Sequence, residues 1–449
     1  MKKTLMALWL AAALPGTAAH ASPPATASVQ PDATAIQPAL SDSQIIAKLT
    51  RNSYAFWQQI RNDNGTYNDG HHLGKASHRG SIANAGMGLI ALTVGHQMGY
   101  EPGAEQLAEK TLTMLAGHDP DFSVPRNARG TYIHFYNTQT GETIGDDWSP
   151  IDSAIMISGA LFAKRYWPEN AKIAAMADEI FQSTDLTSFI ADVKRGEIHL
   201  AAYPDGSFKP NKTKAFNEYM IVASVARAQA EAQGLGPDSA PQRFWDKWYA
   251  TTENVPKPTY KGIEVLGVNK NWFVSKFNYL FNNYLVNEFS AEPVYQQAIT
   301  NAAKADFTWW QDRDWGQRSY EWGSGAGACQ RGYCVDRMTL PDQKGKNDFQ
   351  IVSPHILSGF MPYSDRARAD LLAIYRDERQ LAHYQLDNGE TVLWRYSHQD
   401  HDWRANAIQA VDYSTMLFGL AALDENLGMA FFNAHNDYYN PQQPQYSRN

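Results

Sequence analysis

Y-P-D-G-S-F-K-P-N-K-T-K-A-F-N-E-Y-M-I-V-A-S-V-A-R-A, residues 203–228, contains the pattern on which the fold turns. Pro204, Asp205 and Gly206 form a turn signal, Pro210 follows, and a short polar stretch runs into an apolar helix from Phe216. This spacing predicts Glu218 in the first turn of that helix. Backbone N–H groups and the positive helix end lower the pKa of a carboxyl there, whereas an aromatic, water-poor pocket raises it toward what a general acid needs. Phe216, Tyr219 and Tyr203 are the residues that would line such a pocket. A capping or solvated first-turn acid satisfies the same local pattern.

Working outward, loop and helix alternate again and again. Upstream, D-D-W-S-P-I-D-S-A-I-M-I-S-G-A-L-F-A-K-R-Y-W (146–167) places Ser149 as cap, Pro150 at the first helical position and Asp152 at the third, again a carboxylate at a helix mouth. Its companion helix is expected near 169–182. Before it come a helix over 41–61 capped by Ser41 or Asp42, a polar loop over 61–80 with His71, His72 and His78, and an α-hairpin formed by 81–98 and 105–115. One short strand is expected at 132–136.

Downstream, a companion helix is read at 241–249, with others at 272–289, 293–311, 354–359, 365–376 and 412–426. A long Gly-rich loop occupies 320–348. About a dozen helices, alternating long polar loops with short ones, predict an all-α (α/α)6 toroid whose long loops gather at one end. A helical solenoid is the rival, but no repeat of fixed length supports it.

Residues 1–21 read as a secretory signal peptide: Lys2 and Lys3, an apolar run too short to span a membrane, and Ala19-His20-Ala21 as cleavage site. Residues 22–40 read as a flexible leader, and 41–449 as a single catalytic domain. The net charge of −8 argues against a polyanionic partner such as nucleic acid. Only two cysteines occur, Cys329 and Cys334; in an exported chain they read as a loop-stapling disulfide, since a metal pair would want two further ligands. No helical His-x3-His pair accompanies the loop histidines, and no metal or cofactor is expected. Walker, dinucleotide, Gly-x-Ser-x-Gly and His-Glu-x-x-His motifs are absent, which removes most support for those chemistries.

The chain resembles the glycoamylase-like glycoside hydrolases, the (α/α)6-barrel group that includes bacterial β-1,2-glucanases. The resemblance rests on L-T-R-N-S-Y-A-F-W-Q-Q (49–59), S-I-A-N-A-G-M-G-L-I-A-L-T-V-G (81–95), Y-I-H-F-Y with the 149–167 stretch, Y-P-D-G-S-F with F-N-E-Y-M-I (203–221), and A-V-D-Y-S-T-M-L-F-G-L-A-A-L-D-E-N (410–426), in that order. It implies that Glu218 donates the proton and that Asp152 and Asp412 face the same cavity. The chain departs from the family at W-F-V-S-K-F-N-Y-L-F, where Lys276, Asn278 and Tyr279 stand in place of a His-Gln-containing helix start. It departs again at C-Q-R-G-Y-C and at H-Q-D-H-D-W-R (398–404).

Glycoside hydrolysis needs two carboxyl groups flanking the bond, and Glu218 pairs in principle with Asp412, Asp152 or Asp147. Each aspartate also has a plain reading, as a cap at Asp412 and Asp152 and as a solvated loop acid at Asp147 and Asp146. Tyr136, Trp148, Tyr203, Trp315, Trp322 and Trp394 are candidates for stacking on sugar faces or for ordinary core and rim. Arg395 and Arg404 are candidates to bond hydroxyls or orient a carboxylate. The expectation is a periplasmic, monomeric glycoside hydrolase acting on a neutral β-glucan, with β-1,2 linkage, endo action and inversion expected. A non-catalytic glucan-binding accessory protein and a polysaccharide lyase are the alternatives.

Overall fold

Among the described residues six helices are apolar on nearly every side, and most of the others carry a single apolar stripe. That division sets the layers. The computed structural model describes residues 40–271, 273–313, 318–338 and 349–438. Contacts separate residues 1–40 from the unit Ser41–Asn449, which carries every element below. Apart from Leu40, the expected signal peptide and leader lie outside the described residues, as does Trp315.

The described residues form fourteen α-helices: α1 (Asp42–Ile60), α2 (Ile82–Gln97), α3 (Ala104–Ala116), α4 (Pro150–Tyr166), α5 (Ala171–Ser183), α6 (Met220–Ala232), α7 (Ala240–Trp248), α8 (Phe277–Leu285), α9 (Asn287–Ala291), α10 (Pro293–Gln311), α11 (Pro354–Phe360), α12 (Asp365–Arg376), α13 (Ala410–Ala421) and α14 (Gly428–His435). Helix α2 is buried without interruption from Ile82 to Gly95, all of α11 is buried, and α4, α6, α8 and α13 are nearly so. A helix with no polar face must be enclosed by others. Accordingly α2 packs on α4, α4 on α6, α6 on α8, α8 on α11, α11 on α13, and α13 back on α2. The one-sided helices α1, α3, α5, α7, α10 and α12 pack against members of this series.

The approach of α2 to α4 depends on missing side chains. A Cβ on Gly159 would lie 2.1 Å from the Gly86 carbonyl oxygen, and one on Gly86 would lie 2.4 Å from the Ile155 carbonyl oxygen. The expected caps are present. Ser41 accepts the Gln44 N–H while the Gln44 side chain accepts the Ser41 N–H, a reciprocal capping box, and Ser149 Oγ accepts the Asp152 N–H at 3.2 Å.

Several expectations are corrected. Helix α6 starts at Met220, not Phe216, because the Asn217 side chain accepts the Tyr219 N–H and the Phe216 N–H goes to Gly267, so residues 216–219 turn before they coil. The helix read over 272–289 begins only at Phe277, since the Ser275 hydroxyl and the Lys276 N–H both bond the Ser324 carbonyl. It breaks at Val286, which is extended. The run read over 412–426 ends at Ala421, and α14 follows it. Strands are more numerous than expected, with sixteen among the described residues in two- and three-stranded sheets. At two to six residues each, they are too short for an alternating pattern to stand out in sequence. One of them, Ile133–Asn137, matches the expected strand and pairs with both Arg79–Ser81 and Thr143–Trp148. The Gly-rich loop also folds in part, as a hairpin of Ala326–Cys329 with Gly332–Val335.

Candidate active site

Glu218 stands just before α6, on a backbone held from two sides. Its N–H donates to Asn278 Oδ1 at 3.0 Å, and Asn282 Nδ2 donates to the neighbouring Asn217 carbonyl at 3.1 Å. Both asparagines are buried on α8. Burial pushes the Glu218 carboxyl up to about 7; its own backbone N–H opposes the shift and nearby Asp152 adds to it. A carboxyl with that value holds its proton near neutrality, as a general acid must.

Asp152 lies in the first turn of α4, with its Oδ2 at 3.7 Å from His134 Nε2. Beside it is Asp69, which the sequence reading passed over. Asp69 pairs with Arg79 at 3.3 Å, and burial raises its pKa against the pull of Arg79 and His134, with Asp152 adding to the rise. Its position comes from the distant end of the chain. The strand Gly70–His72 pairs with Ala407–Gln409, and the Ala410 N–H at the start of α13 donates to the Asp69 carbonyl at 3.0 Å. Glycine is required at 70, because a Cβ there would fall 1.9 Å from the Ile408 carbonyl oxygen. The Asp-Gly pair within N-D-G-H-H is the signal that the sequence carries for it.

Asp412 is in the first turn of α13 and only 1% exposed. Burial pushes its carboxyl up to about 7; the Tyr333 hydroxyl and Arg395 pull it down, and Asp69 and Asp336 push it further up. The Tyr333 hydroxyl donates to Asp412 Oδ2 at 3.0 Å. Glu218, Asp152, Asp69 and Asp412 thus form a series in which each carboxyl influences the next, from the mouths of α4, α6 and α13 and the loop before α2. Both carboxyls have carboxylates nearby that favour the proton, but Asp412 also has a side-chain hydroxyl and a guanidinium that favour its ionised form, where Glu218 has only its own backbone N–H.

The remaining predicted residues divide between rim and core. Tyr203 is 40% exposed, and Lys209, which stands 5.4 Å from its ring centre, bonds Asp147 at 2.6 Å and Asp146 at 3.0 Å. Trp148 is nearly buried beside this rim, and Arg404 is exposed. Tyr136, Trp322 and Trp394 are core, which corrects their reading as stacking platforms. The Trp322 indole donates to Asp370 and its ring stacks on Phe360; the Trp394 indole donates to the Ala407 carbonyl between His355 and Tyr413. Arg395 is buried too. Its donors go to Ser353 Oγ, the Ala328 carbonyl and Asp336, so of its two expected tasks it takes the carboxylate. Cys329 and Cys334 are joined as a disulfide. His71 lies between the Tyr384 hydroxyl and Asp387.

The fold is that of a group of solved structures containing candidate glucoamylases and β-1,2-glucanases. One, a candidate glucoamylase from Bacteroides fragilis, superposes with a TM-score of 0.72 at 16% identity, over 90% of this chain and 96% of its own. An endo-β-1,2-glucanase from Chitinophaga pinensis, solved with sophorotriose and glucose, gives 0.69 at 16% identity over 89% and 99%. A glutamate-to-glutamine variant of the endo-β-1,2-glucanase from Talaromyces funiculosus, solved with β-1,2-glucan, gives 0.57 at 11% identity over 90% and 93%. No protein-family profile and no curated protein matches the chain. Among the described residues no helix is long and apolar enough to cross a membrane.

Proposed function

We propose that this chain is an exported glycoside hydrolase that cleaves a neutral β-glucan within an (α/α)6 barrel, with the β-1,2 linkage the first to test. The barrel reading is supported by the run of helix contacts that starts at α2 and returns to it through α13. The observation that carries the chemistry is the pair of carboxyls, half-buried Glu218 and buried Asp412, both raised to about 7, of which Asp412 has the Tyr333 hydroxyl and Arg395 beside it. Glu218 donates its proton to the glycosidic oxygen. Ionised Asp412 takes a proton from the water that attacks the anomeric carbon from the other face, and the configuration inverts. Asp152 keeps Glu218 protonated between turnovers. The half-exposed Tyr203, with Asp147 and Lys209, offers an aromatic face and polar groups where a sugar chain would enter.

Neighbours solved with sophorotriose, glucose and β-1,2-glucan support a saccharide substrate, and a glutamate-to-glutamine change in one of them supports a glutamate at the centre of the chemistry. The basic, apolar and small-residue character of residues 1–21 supports export to the periplasm. The mature chain and its Glu218→Gln variant, incubated with a panel of β-glucans, test the reading. Cleavage with inverted products by NMR, lost by several orders of magnitude in the variant, is the expected result. A wild-type chain that cuts no glucan, or a variant that cuts equally well, overturns it.

A further inference from the structure

The hairpin formed by Ala326–Cys329 and Gly332–Val335 serves no purpose yet assigned. Its strands pair in the register Ala328 to Tyr333 and Cys329 to Gly332, and the Cys329–Cys334 disulfide closes it. It is anchored beside α13, since the Ala328 N–H donates to Gln409 Oε1 at 2.7 Å and the Ala328 carbonyl accepts from Arg395 at 3.0 Å. Tyr333 is 50% exposed, yet its hydroxyl reaches a carboxyl that is 1% exposed. A half-solvated tyrosine would ordinarily turn its hydroxyl to water. This one is held inward, flanked in sequence by a disulfide-bonded cysteine.

We propose that Tyr333 is the positioning residue for Asp412, and that the disulfide-closed hairpin exists to hold it there. This rests on the hydrolase reading for its kinetic consequence but not for its physical one. A phenol O–H donated to one carboxylate oxygen fixes the rotation of the carboxyl group and stabilises its ionised form, leaving the other oxygen for water. The charged and titratable groups that face Asp412 are Tyr333 from the hairpin, Asp336 just after it, Arg395, and Asp69 from the loop before α2. From α11, which packs on α13, comes His355, buried and held neutral by burial and by Arg395. Of these, Tyr333 hydrogen-bonds the carboxyl itself.

The test is the pH profile of kcat/KM for wild type, Tyr333→Phe and the double variant Cys329→Ser/Cys334→Ser, on a glucan that wild type cleaves. Tyr333→Phe removes only the donor, so the acid limb, where Asp412 must be ionised, moves up by about one pH unit, with about tenfold lower kcat/KM on that side. The alkaline limb stays in place. The double variant moves the same limb in the same direction. In parallel, the Asp412 carboxyl is titrated by 13C NMR of aspartate-labelled protein and assigned by its loss in Asp412→Asn; its midpoint rises in both variants. This second measurement needs no substrate. If wild type cleaves nothing, the hydrolase reading falls and the titration still decides on Tyr333. An unmoved midpoint in Tyr333→Phe, or a loss of activity uniform across pH, overturns the positioning role; a double variant that titrates like wild type overturns the role of the disulfide.

Discussion

Asn278 Oδ1 accepts the backbone N–H of Glu218 at 3.0 Å, so the residue two positions before α6 is fixed by a side chain from α8. Neighbouring buried helices thereby share one acid. Asn278→Ala frees that N–H, and because small displacements of a reacting group are costly, kcat should fall by roughly tenfold or more. KM should change little. Steady-state kinetics beside a far-ultraviolet CD spectrum check this, and an unchanged kcat removes Asn278 from the machinery.

On the proposed mechanism protonated Glu218 and ionised Asp412 are required together, and with both carboxyls raised to about 7 the pH profile of kcat/KM should be a narrow bell centred near neutrality. Glu218→Gln abolishes the bell along with the activity. A broad optimum near pH 5, typical of unperturbed carboxyls, contradicts the assignment.

Asp69 pushes the Asp412 pKa up, in the opposite sense to Tyr333. Asp69→Asn should therefore move the acid limb to lower pH, whereas Tyr333→Phe moves it higher. Opposite displacements from two single-atom changes on either side of one carboxyl are a demanding outcome to obtain by general disruption.

The raised pKa of Glu218 also costs stability. The folded chain binds this proton between the ordinary value near 4.5 and about 7, and the unfolded chain does not, so stability falls as pH rises through that window. Glu218→Gln should unfold at higher temperature than wild type at pH 8, by an amount on the order of 3 kcal/mol, and the two should converge near pH 4. Thermal melts at the two pH values suffice, and equal differences at both would show that burial of Glu218 carries no such penalty.

Gly159 and Gly86 allow α2 and α4 to meet backbone to backbone. Gly159→Ala puts a methyl group where no side chain can yield, and a loss of about 3 kcal/mol is expected from overpacking of this kind, even though alanine is the better helix former. The denaturant midpoint reads it directly. A neutral result would mean that the two helices slide apart freely.

Local chemistry was legible in the sequence where it acts over three or four residues. Ser41 with Gln44, and Ser149 with Pro150 and Asp152, announce helix starts because capping is a local matter. The apolar stripes of the outer helices and the unbroken apolar runs of the inner ones likewise announce layers of helices. Acids at helix mouths were visible at Asp152, Glu218 and Asp412 for the same reason. Asp69, Tyr333 and the role of Asn278 were not, because each acquires its place from partners far along the chain: Ala410 at the start of α13, Asp412 across a hairpin, and Glu218 across two helices. The aromatic residues misled in the other direction. Composition says that there are many rings, but only the packing says that Trp322 and Trp394 spend their indole N–H groups on Asp370 and Ala407 inside the core.

The pairing of Gly70–His72 with Ala407–Gln409 ties the beginning of the folded unit to its end. A chain made from its N-terminus as far as α12 holds Glu218 and Asp152 but lacks both Asp412 and the strand that pins Asp69. α13 and the strand before it close the series of carboxyls, and without them it is incomplete. The two ends of the folded unit thus complete one site: Asp69 from its first loop and Asp412 from α13 stand in one series only when residues as far apart in the chain as Gly70 and Gln409 have met.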